Sequence, residues 1–337
     1  RSWSLELNYI TAENIDFSRV LADMIPRCIP SAYVEGYSEL VELGIKNRWP
    51  RRPEVIFTSN AYQANDGFKA WAAEKTENGS KLVIGQHGGH FGMTPFAFHE
   101  EHQIEIADRF ISWGWTDNAH QNITPLGNFK DAGKVEVESN VAGGALLVQM
   151  TLPRYSYHLY AVPVSAAQWN SYFQDQLQFV SSLDDKIRKK LLVRLLRSDF
   201  GHGQKARWSD AFPDVVLDDG SGSITDLLKK SKLYVSSYNS TTYLESFGLN
   251  FPTLVFWNPE YWELKEECKP FFDLLESVGI FHKSAESAAK KMNAIWDDID
   301  EWWFHPDTQA AKDDFCARYA KKIDRPVCEL ASIFKES

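Results

Sequence analysis

Cysteine is scarce in this sequence, and so are long apolar runs. Its four cysteines form neither a CxxC pair nor a Cys/His zinc spacing, which argues against a disulfide framework or a structural metal and favours a reducing cytoplasm. No apolar run approaches the roughly 18 residues of a transmembrane helix, and no signal peptide is visible. The sequence starts at Arg1 rather than Met, which we interpret as a missing N-terminal stretch or a trimmed tag.

Positive charge is also in deficit, since the formal net charge is −10. This balance argues against nonspecific nucleic-acid binding, so an anionic ligand must be met by a local basic cluster. Aromatic residues are abundant instead: 14% of the chain, including 12 Trp, offers flat surfaces for packing or for contact with sugars. A length of 337 residues fits two domains of ordinary size.

Short apolar runs alternate with polar loops and helical patterns, which predicts an α/β fold with parallel, doubly wound sheets. The composition shifts to Asn, Gly, Asp and Lys between Thr116 and Val141, where we place a linker. The predicted domains are residues 1–140, residues 141–284, and C-terminal helices over 285–337 that pack across the domains.

A glycine-rich loop, Gln86–Gly92 (QHGGHFG), follows the apolar run Leu82–Ile84. Glycines favour turns and close backbone approach, so the strand cannot continue through this loop. The loop leaves the carboxyl end of a strand, where open α/β sheets bind ligands. We therefore expect Gln86, Gly88 and Gly89 to contact a bound donor.

Histidines and acids follow the same glycines. We take His87 and His99 as candidates for contacting an anion or shuttling a proton, with a structural hydrogen-bonding role as the alternative. Glu100 is a further catalytic candidate. The HEEH run lacks the HExxH spacing of zinc peptidases, so no metal site is predicted.

A second motif, YVSSYNSTTYLE, is a strand that runs into a hydroxyl-rich loop and a helix. Backbone amides, hydroxyls and the positive helix end suit a phosphate, although plain N-capping by Ser or Thr is the alternative. Glu245, one turn into the helix, could accept hydrogen bonds from ribose hydroxyls. The donor-binding candidates of this motif are Tyr238, Asn239, Ser240, Thr241, Thr242 and Glu245.

Arginines in the second half add positive charge. Guanidinium groups match phosphate and carboxylate oxygens, and we select Arg154 and Arg197 because each lies where a predicted strand gives way to a loop. Solvated surface charge is the alternative.

Asp66 ends a predicted polar loop, Ser59–Asp66, before a predicted helix, Phe68–Glu77. A carboxylate that faces a glycosyl donor can attack the anomeric carbon and form a covalent intermediate. The alternative is that Asp66 caps the helix.

The segments QHGGHFG, EEHQIEIADRFISWGW and YNSTTYLESFGLNFPTLVFWNPEYWEL together resemble bacterial transferases of surface-polysaccharide assembly. More narrowly, the chain resembles the retaining β-Kdo transferase domains of O-antigen and capsule assembly, from about Val55 to about Arg318. The resemblance implies two Rossmann-like domains in a glycosyltransferase-B arrangement and CMP-β-Kdo as donor. It also implies a covalent sugar adduct on an aspartate, for which Asp66 is the best match.

The resemblance also assigns roles to the site. Ser240, Thr241 and Thr242 would bind the CMP phosphate, Glu245 the ribose, and the arginines with His87 the Kdo carboxylate. The partners would be the nucleotide-sugar donor and an oligosaccharide or lipid-linked acceptor, with no nucleic acid, no metal and no cofactor. We expect a cytoplasmic location, with peripheral contact to the inner membrane through other parts of the full protein.

Two rival functions remain open. One is an inverting transferase or polyol-phosphate polymerase that uses another nucleotide donor and a histidine base. The other is a sugar-binding domain without catalytic activity. Fold alone does not identify the sugar, because many nucleotide sugars use this architecture.

Overall fold

The computed structural model describes residues 15–155 and 164–336. The chain divides into two compact units, Arg1–Leu82 and Val83–Ser337. In the described ranges no helix combines the length and apolarity that crossing a membrane requires.

The first unit packs helices around a short strand. Helix α2 (Tyr37–Lys46) and helix α4 (Asp66–Glu77) lie so close that a Cβ on Gly44 would meet the Trp71 ring at 2.8 Å, so glycine is required at this crossing. Trp71 also packs against Trp49, with ring centroids 5.3 Å apart. The elements are α1 (Ile15–Cys28), a 3-10 turn (Ser31–Tyr33), α2 (Tyr37–Lys46), β1 (Val55–Thr58), α3 (Ala61–Ala64) and α4 (Asp66–Glu77).

Strand β2 (Lys81–Gly85) begins in the first unit and continues into the second. There it pairs in parallel with β3 (Arg109–Ser112), and β3 pairs in parallel with β4 (Ile123–Pro125). Helix α5 (Phe98–Ile106) connects β2 to β3. The residues Val83, Ile84, Phe110 and Ile111 are fully buried, which explains why these strands read as continuous apolar runs.

A second, six-stranded sheet lies wholly in the second unit, with the order β10-β9-β8-β5-β6-β7 and parallel pairing throughout. The chain adds strands to one side of β5 and then, from β8, to the other side. This is the doubly wound order of dinucleotide-binding folds, and the crevice between β5 and β8 is its topological switch point. The strands are β5 (Gly144–Val148), β6 (Leu191–Arg194), β7 (Val216–Asp218), β8 (Ser231–Ser236), β9 (Thr253–Phe256) and β10 (Phe281–His282).

Helices connect these strands, as a parallel sheet requires. They are α6 (Trp169–Ser181), α7 (Asp185–Arg188), α8 (Gln204–Ala211), α9 (Ile224–Leu228), α10 (Thr241–Gly248) and α11 (Lys269–Ser277). After the last strand come α12 (Ala285–Ile295), α13 (Ile299–Trp303), α14 (Pro306–Tyr319) and α15 (Pro326–Glu336).

The C-terminal helices and the turn after α14 contact the segment that follows β3 and the chain that follows α10. The Trp303 indole donates to the Asn250 carbonyl at 3.0 Å, and the Lys321 amide donates to the Trp113 carbonyl at 2.9 Å. Arg318 donates to the Thr116 carbonyl at 3.0 Å. The end of the chain therefore fastens the segment after β3 to the six-stranded sheet.

The predicted parallel α/β architecture is confirmed, with three local differences. The predicted linker between Thr116 and Val141 contains strand β4. The predicted loop Ser59–Asp66 contains helix α3, and Asp66 is the first residue of α4 rather than the end of a loop. The predicted domain boundaries at 140 and 284 stay predictions.

Candidate active site

The glycine loop Gln86–Gly92, here the histidine loop, lies against the first turn of α10. The Gly89 amide donates to Thr241 Oγ1 at 2.9 Å. A Cβ on Gly89 would lie only 2.6 Å from the Ser240 carbonyl carbon, so any other residue would push the two segments apart. Because α10 starts at the carboxyl end of β8, this contact brings the loop to one side of the switch point.

Gln86 anchors the start of the histidine loop. Its side-chain oxygen accepts from the Trp113 amide at 3.0 Å and from the Trp115 indole at 2.8 Å, and its side-chain amide donates to the Gly88 carbonyl at 2.7 Å. The side chain is buried. Gln86, predicted to bind the donor, is therefore engaged in shaping the loop.

Glu100 and Lys265 anchor its other end. One Glu100 oxygen accepts from the Gly92 amide at 2.6 Å and the other lies 3.0 Å from Lys265 Nζ. The Lys265 amide also donates to the Met93 carbonyl at 2.8 Å. Burial raises the pKa of Glu100, and Lys265 opposes that shift. Glu100, predicted as catalytic, is a buried anchor in this structure.

Three histidines lie close enough to influence one another. Burial lowers the pKa of His87, and Lys130 and His99 lower it further. Burial, with His87 and His99, lowers the pKa of His90 to about 4. Both rings are therefore neutral at pH 7.

His90 has an unusual backbone conformation, and His87 has a ring nitrogen without a hydrogen-bond partner among the described residues. His90 has a φ of 69°, a left-handed conformation that non-glycine residues rarely adopt and that clusters at functional sites. His87 Nδ1 is buried and has no hydrogen-bond partner among the described residues. The loop thus holds imidazoles in a fixed and partly unsatisfied arrangement.

The hydroxyl-rich start of α10 is only partly available to a ligand. The Ser240 side chain makes no capping hydrogen bond to the helix amides, which leaves that helix end open to an anion. Thr241 is engaged by Gly89, and Thr242 Oγ1 lies between the Tyr234 hydroxyl at 2.7 Å and the Tyr238 hydroxyl at 3.0 Å. Among the residues that the structure describes, Ser240 is the one of the three predicted phosphate ligands without such an internal partner.

Asn239 precedes this helix and is fully buried. Its side-chain oxygen accepts from the Tyr243 hydroxyl at 3.0 Å, while its side-chain nitrogen has no partner among the described residues. A buried donor without a partner costs about 1–3 kcal/mol.

Two lysines face Glu245 on α10. Lys130 Nζ lies 3.4 Å and Lys134 Nζ 4.0 Å from its carboxylate. Lys134 also contacts the buried Asp131 at 3.2 Å. Burial raises the pKa of Asp131 to about 6, although Lys134 opposes the shift. Glu245, predicted to bind ribose, is thus already paired with two cations.

Arg154 and Arg197 are both exposed. The Arg154 guanidinium lies 5.7 Å from the Tyr155 ring centre. Arg197 lines a cavity of about 240 Å³ beyond the ends of β6 and β7, together with Lys205 and Asp219. Neither arginine is brought to the histidine loop by a contact in the structure.

Asp66 belongs to the first unit. The Tyr33 hydroxyl and Lys69, at 3.0 Å, both donate to its carboxylate, and these hydrogen bonds lower its pKa. Asn65, rather than Asp66, caps α4 by accepting from the Phe68 amide at 2.9 Å. Asp66 is therefore ionised at neutral pH and is not needed as a cap.

Over 15–155 and 164–336, no three His, Cys, Asp or Glu side chains group in a way that could hold a metal ion. The HEEH run lies on α5, where His99 is half-buried and His102 is exposed.

Comparison with known proteins identifies the family. The model of the LIC12162 family transferases matches residues 4–334. The chain belongs to this transferase family. No curated protein matches its sequence.

Solved structures show which fold the transferase shares. TarM matches with a TM-score of 0.56 at 12% identity, and the match covers 89% of this chain and 58% of TarM. A Listeria monocytogenes protein assigned as a UDP-N-acetylglucosamine 2-epimerase matches with a TM-score of 0.50 at 12% identity, covering 89% and 78%. The pneumococcal O-GlcNAc transferase GtfA, solved with UDP and GlcNAc, matches with 0.50 at 10% identity, covering 88% and 59%.

These likenesses support the predicted fold class, two parallel-sheet α/β domains of the glycosyltransferase-B type. The transferase spans less than two thirds of TarM and of GtfA.

Sequence reasoning missed three residues of the site. His90 belongs to the glycine-rich loop, but the sequence gives no reason to choose it as a functional candidate. Lys130 and Lys265 lie in segments with no recognisable motif. Lys130 follows Asn128, which caps a 3-10 turn, and Lys265 precedes another. Only their partners, Glu245 and Glu100, reveal their place in the site.

Asp131 makes the stability of the transferase depend on pH. Its folded pKa of about 6 exceeds the unfolded value of 3.8, so the folded state holds an extra proton between these values. The free energy of unfolding should therefore fall as pH rises from about 4 to about 6, by at most about 3 kcal/mol from this group. We expect Asp131→Asn to lose this component. Urea denaturation of both proteins at several pH values measures the free energy of unfolding. If the difference in this free energy between wild type and Asp131→Asn stays constant with pH, the prediction is wrong.

Proposed function

We propose that this transferase moves a sugar from a nucleotide donor onto a bacterial surface glycan. The proposal rests on the contact between the histidine loop and the start of α10. That helix end has no side-chain cap, and it lies at the switch point of a doubly wound sheet. Open helix amides, Lys130 and neutral histidines form a place for a phosphate that leaves a sugar. Family membership supports group transfer, and the fold of GtfA and TarM supports a glycosyl group.

The donor phosphate binds at the start of α10, next to Ser240, and the nucleoside runs across β5 towards β6 and β7. Neighbouring strands are about 4.8 Å apart, so the cavity lined by Arg197 and Lys205 lies about 10–14 Å from β8. That span suits a phosphate, a ribose and a base. Arg197, although exposed, is then near the nucleoside rather than the histidine loop.

The donor is CMP-β-Kdo, a choice that rests on the sequence resemblance. The Kdo carboxylate would lie near His87 and Lys130, where positive charge and a buried ring nitrogen meet. Neutral His87 can donate or accept a hydrogen bond there, depending on which nitrogen holds the proton.

Asp66 is the proposed nucleophile. Its lowered pKa keeps the carboxylate ionised, which attack on the anomeric carbon requires. An Asp66 carboxylate oxygen bonds to the anomeric carbon while the bond between this carbon and the phosphate oxygen of CMP breaks. The acceptor hydroxyl then forms its own bond to this carbon, displaces the Asp66 carboxylate and passes its proton to a neutral histidine of the loop. Two inversions give net retention.

A second candidate is inverting transfer, including polyol-phosphate polymerisation, with a loop histidine as general base. The neutral rings of His87 and His90 favour it, because a general base must be unprotonated before it acts. The anomeric configuration of the product distinguishes the two mechanisms.

The proposed enzyme works at the cytoplasmic face of the inner membrane and needs no metal. Lys130, the loop histidines and the amides of α10 would neutralise the leaving phosphate, a task that metal ions perform in other transferases.

CMP should raise the melting temperature more than UDP, GDP or CDP. At 100 times its dissociation constant a ligand adds about 2.7 kcal/mol of stability. Ser240→Ala should weaken CMP binding at least about 10-fold, since a hydrogen bond to a charged phosphate contributes about 1.5–3 kcal/mol. Ser223→Ala is the matched control, because Ser223 begins α9 and also makes no capping bond. Equal melting-temperature shifts from the other nucleotides would count against a CMP donor. If Ser240→Ala and Ser223→Ala change CMP affinity equally, Ser240 is not a ligand of the nucleotide.

Asp66→Asn should lower turnover at least about 10³-fold, equivalent to about 4 kcal/mol of barrier. CMP affinity should change little, since Asp66 is assigned to the sugar and not to the nucleotide. Mass spectrometry of wild type incubated with donor alone should show one added sugar on the peptide that contains Asp66. Asp23→Asn, an exposed site on α1, is the control. An adduct on another peptide, or near-normal turnover by Asp66→Asn, would refute the assignment.

Turnover should survive excess EDTA, because protein groups alone neutralise the leaving phosphate. The measurement is product formation after chelation and after adding back Mg²⁺ or Mn²⁺. A loss that either ion restores would show that a metal takes part.

A further inference from the structure

The cavity of about 240 Å³ beyond the ends of β6 and β7 has walls that a ligand can reach. Arg197, Lys205 and Asp219 line it, and all three residues are exposed. The cavity lies at the carboxyl ends of the strands, the edge at which open α/β sheets bind ligands. The function proposed above places the nucleoside of the donor here, so its base would meet two cations and a carboxylate.

Asp199 is a second carboxylate in the cavity wall, but the protein uses both of its oxygens. One oxygen accepts from the Gln204 amide at 2.7 Å, and the other accepts from the Gly203 amide at 2.8 Å. These bonds satisfy backbone amides at the start of α8. Asp219 is therefore the carboxylate of this wall that is better placed to bind a ligand.

The loop after β7 holds Asp219 in place. Arg194 forms an ion pair with Asp218 at 3.2 Å and donates to the Gly220 carbonyl at 3.1 Å. Gly220 has a φ of 76°, and a Cβ there would lie 2.5 Å from the Leu195 carbonyl oxygen. The loop thus packs directly on the chain that follows β6, and the protein itself sets the position of Asp219 before a ligand binds.

One carboxylate oxygen of Asp219 is open to a hydrogen-bond donor. The Ser221 hydroxyl and the Ser221 amide both donate to the other oxygen, Oδ1, at 2.6 Å and 2.9 Å. These bonds lower the pKa of the Asp219 carboxyl and the Arg197 charge adds to the shift, so the carboxylate is ionised at neutral pH. Oδ2 has no hydrogen-bond partner among the described residues. An ionised carboxylate oxygen accepts hydrogen bonds and cannot donate them.

We propose that Asp219 selects a cytosine base by accepting a hydrogen bond from its exocyclic amine, an inference that rests on the CMP donor proposed above. Cytosine carries this amine where uracil carries a carbonyl oxygen. A uracil oxygen would face the carboxylate as acceptor against acceptor, with no proton to share. Arg197 and Lys205 supply only donors, which match the acceptor atoms that cytosine presents beside its amine. A site built to bond one polar group rejects an analogue that lacks it.

The test measures CMP and UMP affinity by calorimetry for wild type, Asp219→Asn and Asp226→Asn. Asp226 is the matched control, because it is exposed on the following helix, α9, and does not line the cavity. Both substitutions remove one negative charge. In Asp219→Asn the side-chain oxygen can keep both Ser221 bonds, which leaves an NH₂ group in place of the unpartnered oxygen. The substitution therefore turns an acceptor into a donor at the position that contacts the base.

We expect the wild type to bind CMP at least about tenfold more tightly than UMP, the factor that a hydrogen bond to a charged group supplies. Asp219→Asn should weaken CMP binding at least about tenfold and leave UMP binding equal or tighter, which would also show that the variant is folded. Asp226→Asn should keep both affinities within about twofold of wild type.

The inference is overturned if Asp219→Asn keeps the preference for CMP, or if it changes the affinity for both nucleotides by the same factor. A wild-type preference for CMP would in either case leave the donor assignment in place. A wild type that binds UMP as tightly as CMP would refute the donor assignment and the base contact together.

Discussion

The close approach of Gly89 to the first turn of α10 is the constraint on which the rest of the site depends. The two segments lie 152 residues apart in the chain and follow strands of different sheets. Even so, they approach so closely that there is no room for a side chain at Gly89. The contact places the neutral imidazoles near the positive end of a helix. Without it the histidine loop would be a surface turn after β2, and the start of α10 would be a simple helix end.

Buried anchors maintain this approach, and their contribution is to geometry more than to stability. The Glu100–Lys265 pair loses hydration on burial, and that cost largely offsets its Coulomb attraction. Removing either partner would leave the other charge without its pair, and removing Glu100 would also leave the Gly92 amide unsatisfied. Gln86 works in the same way at the other end, because its amide group holds two indole-bearing residues and the loop at once. These contacts hold the loop in a conformation that includes the strained backbone of His90.

Sequence patterns predicted the elements well because strands buried on both faces are apolar throughout, as in Val83–Ile84 and Leu254–Val255. They also located the two chemical segments, since glycines and hydroxyls after a strand are local signals. They could not predict which side chains those segments use internally. Thr242 binds two tyrosines, and Glu100 binds a lysine 165 residues away. Such partners depend on the tertiary fold, so residues chosen as ligands by type include several that hold the site together.

Charge explains how an acidic protein can present an anion site. A net charge of −10 repels an anionic donor at long range, but salt screens exposed charges over about 8–10 Å. Inside that distance the local groups dominate, and Lys130, Lys134 and the open end of α10 lie where we propose that the donor phosphate binds. Glu245 reduces this positive potential while it is paired with both lysines. In the proposed complex, a donor phosphate that draws Lys130 away would free the Glu245 oxygen that Lys130 contacts, while Lys134 stays near the other oxygen. We propose that the freed oxygen accepts hydrogen bonds from the ribose, which would couple phosphate binding to ribose recognition.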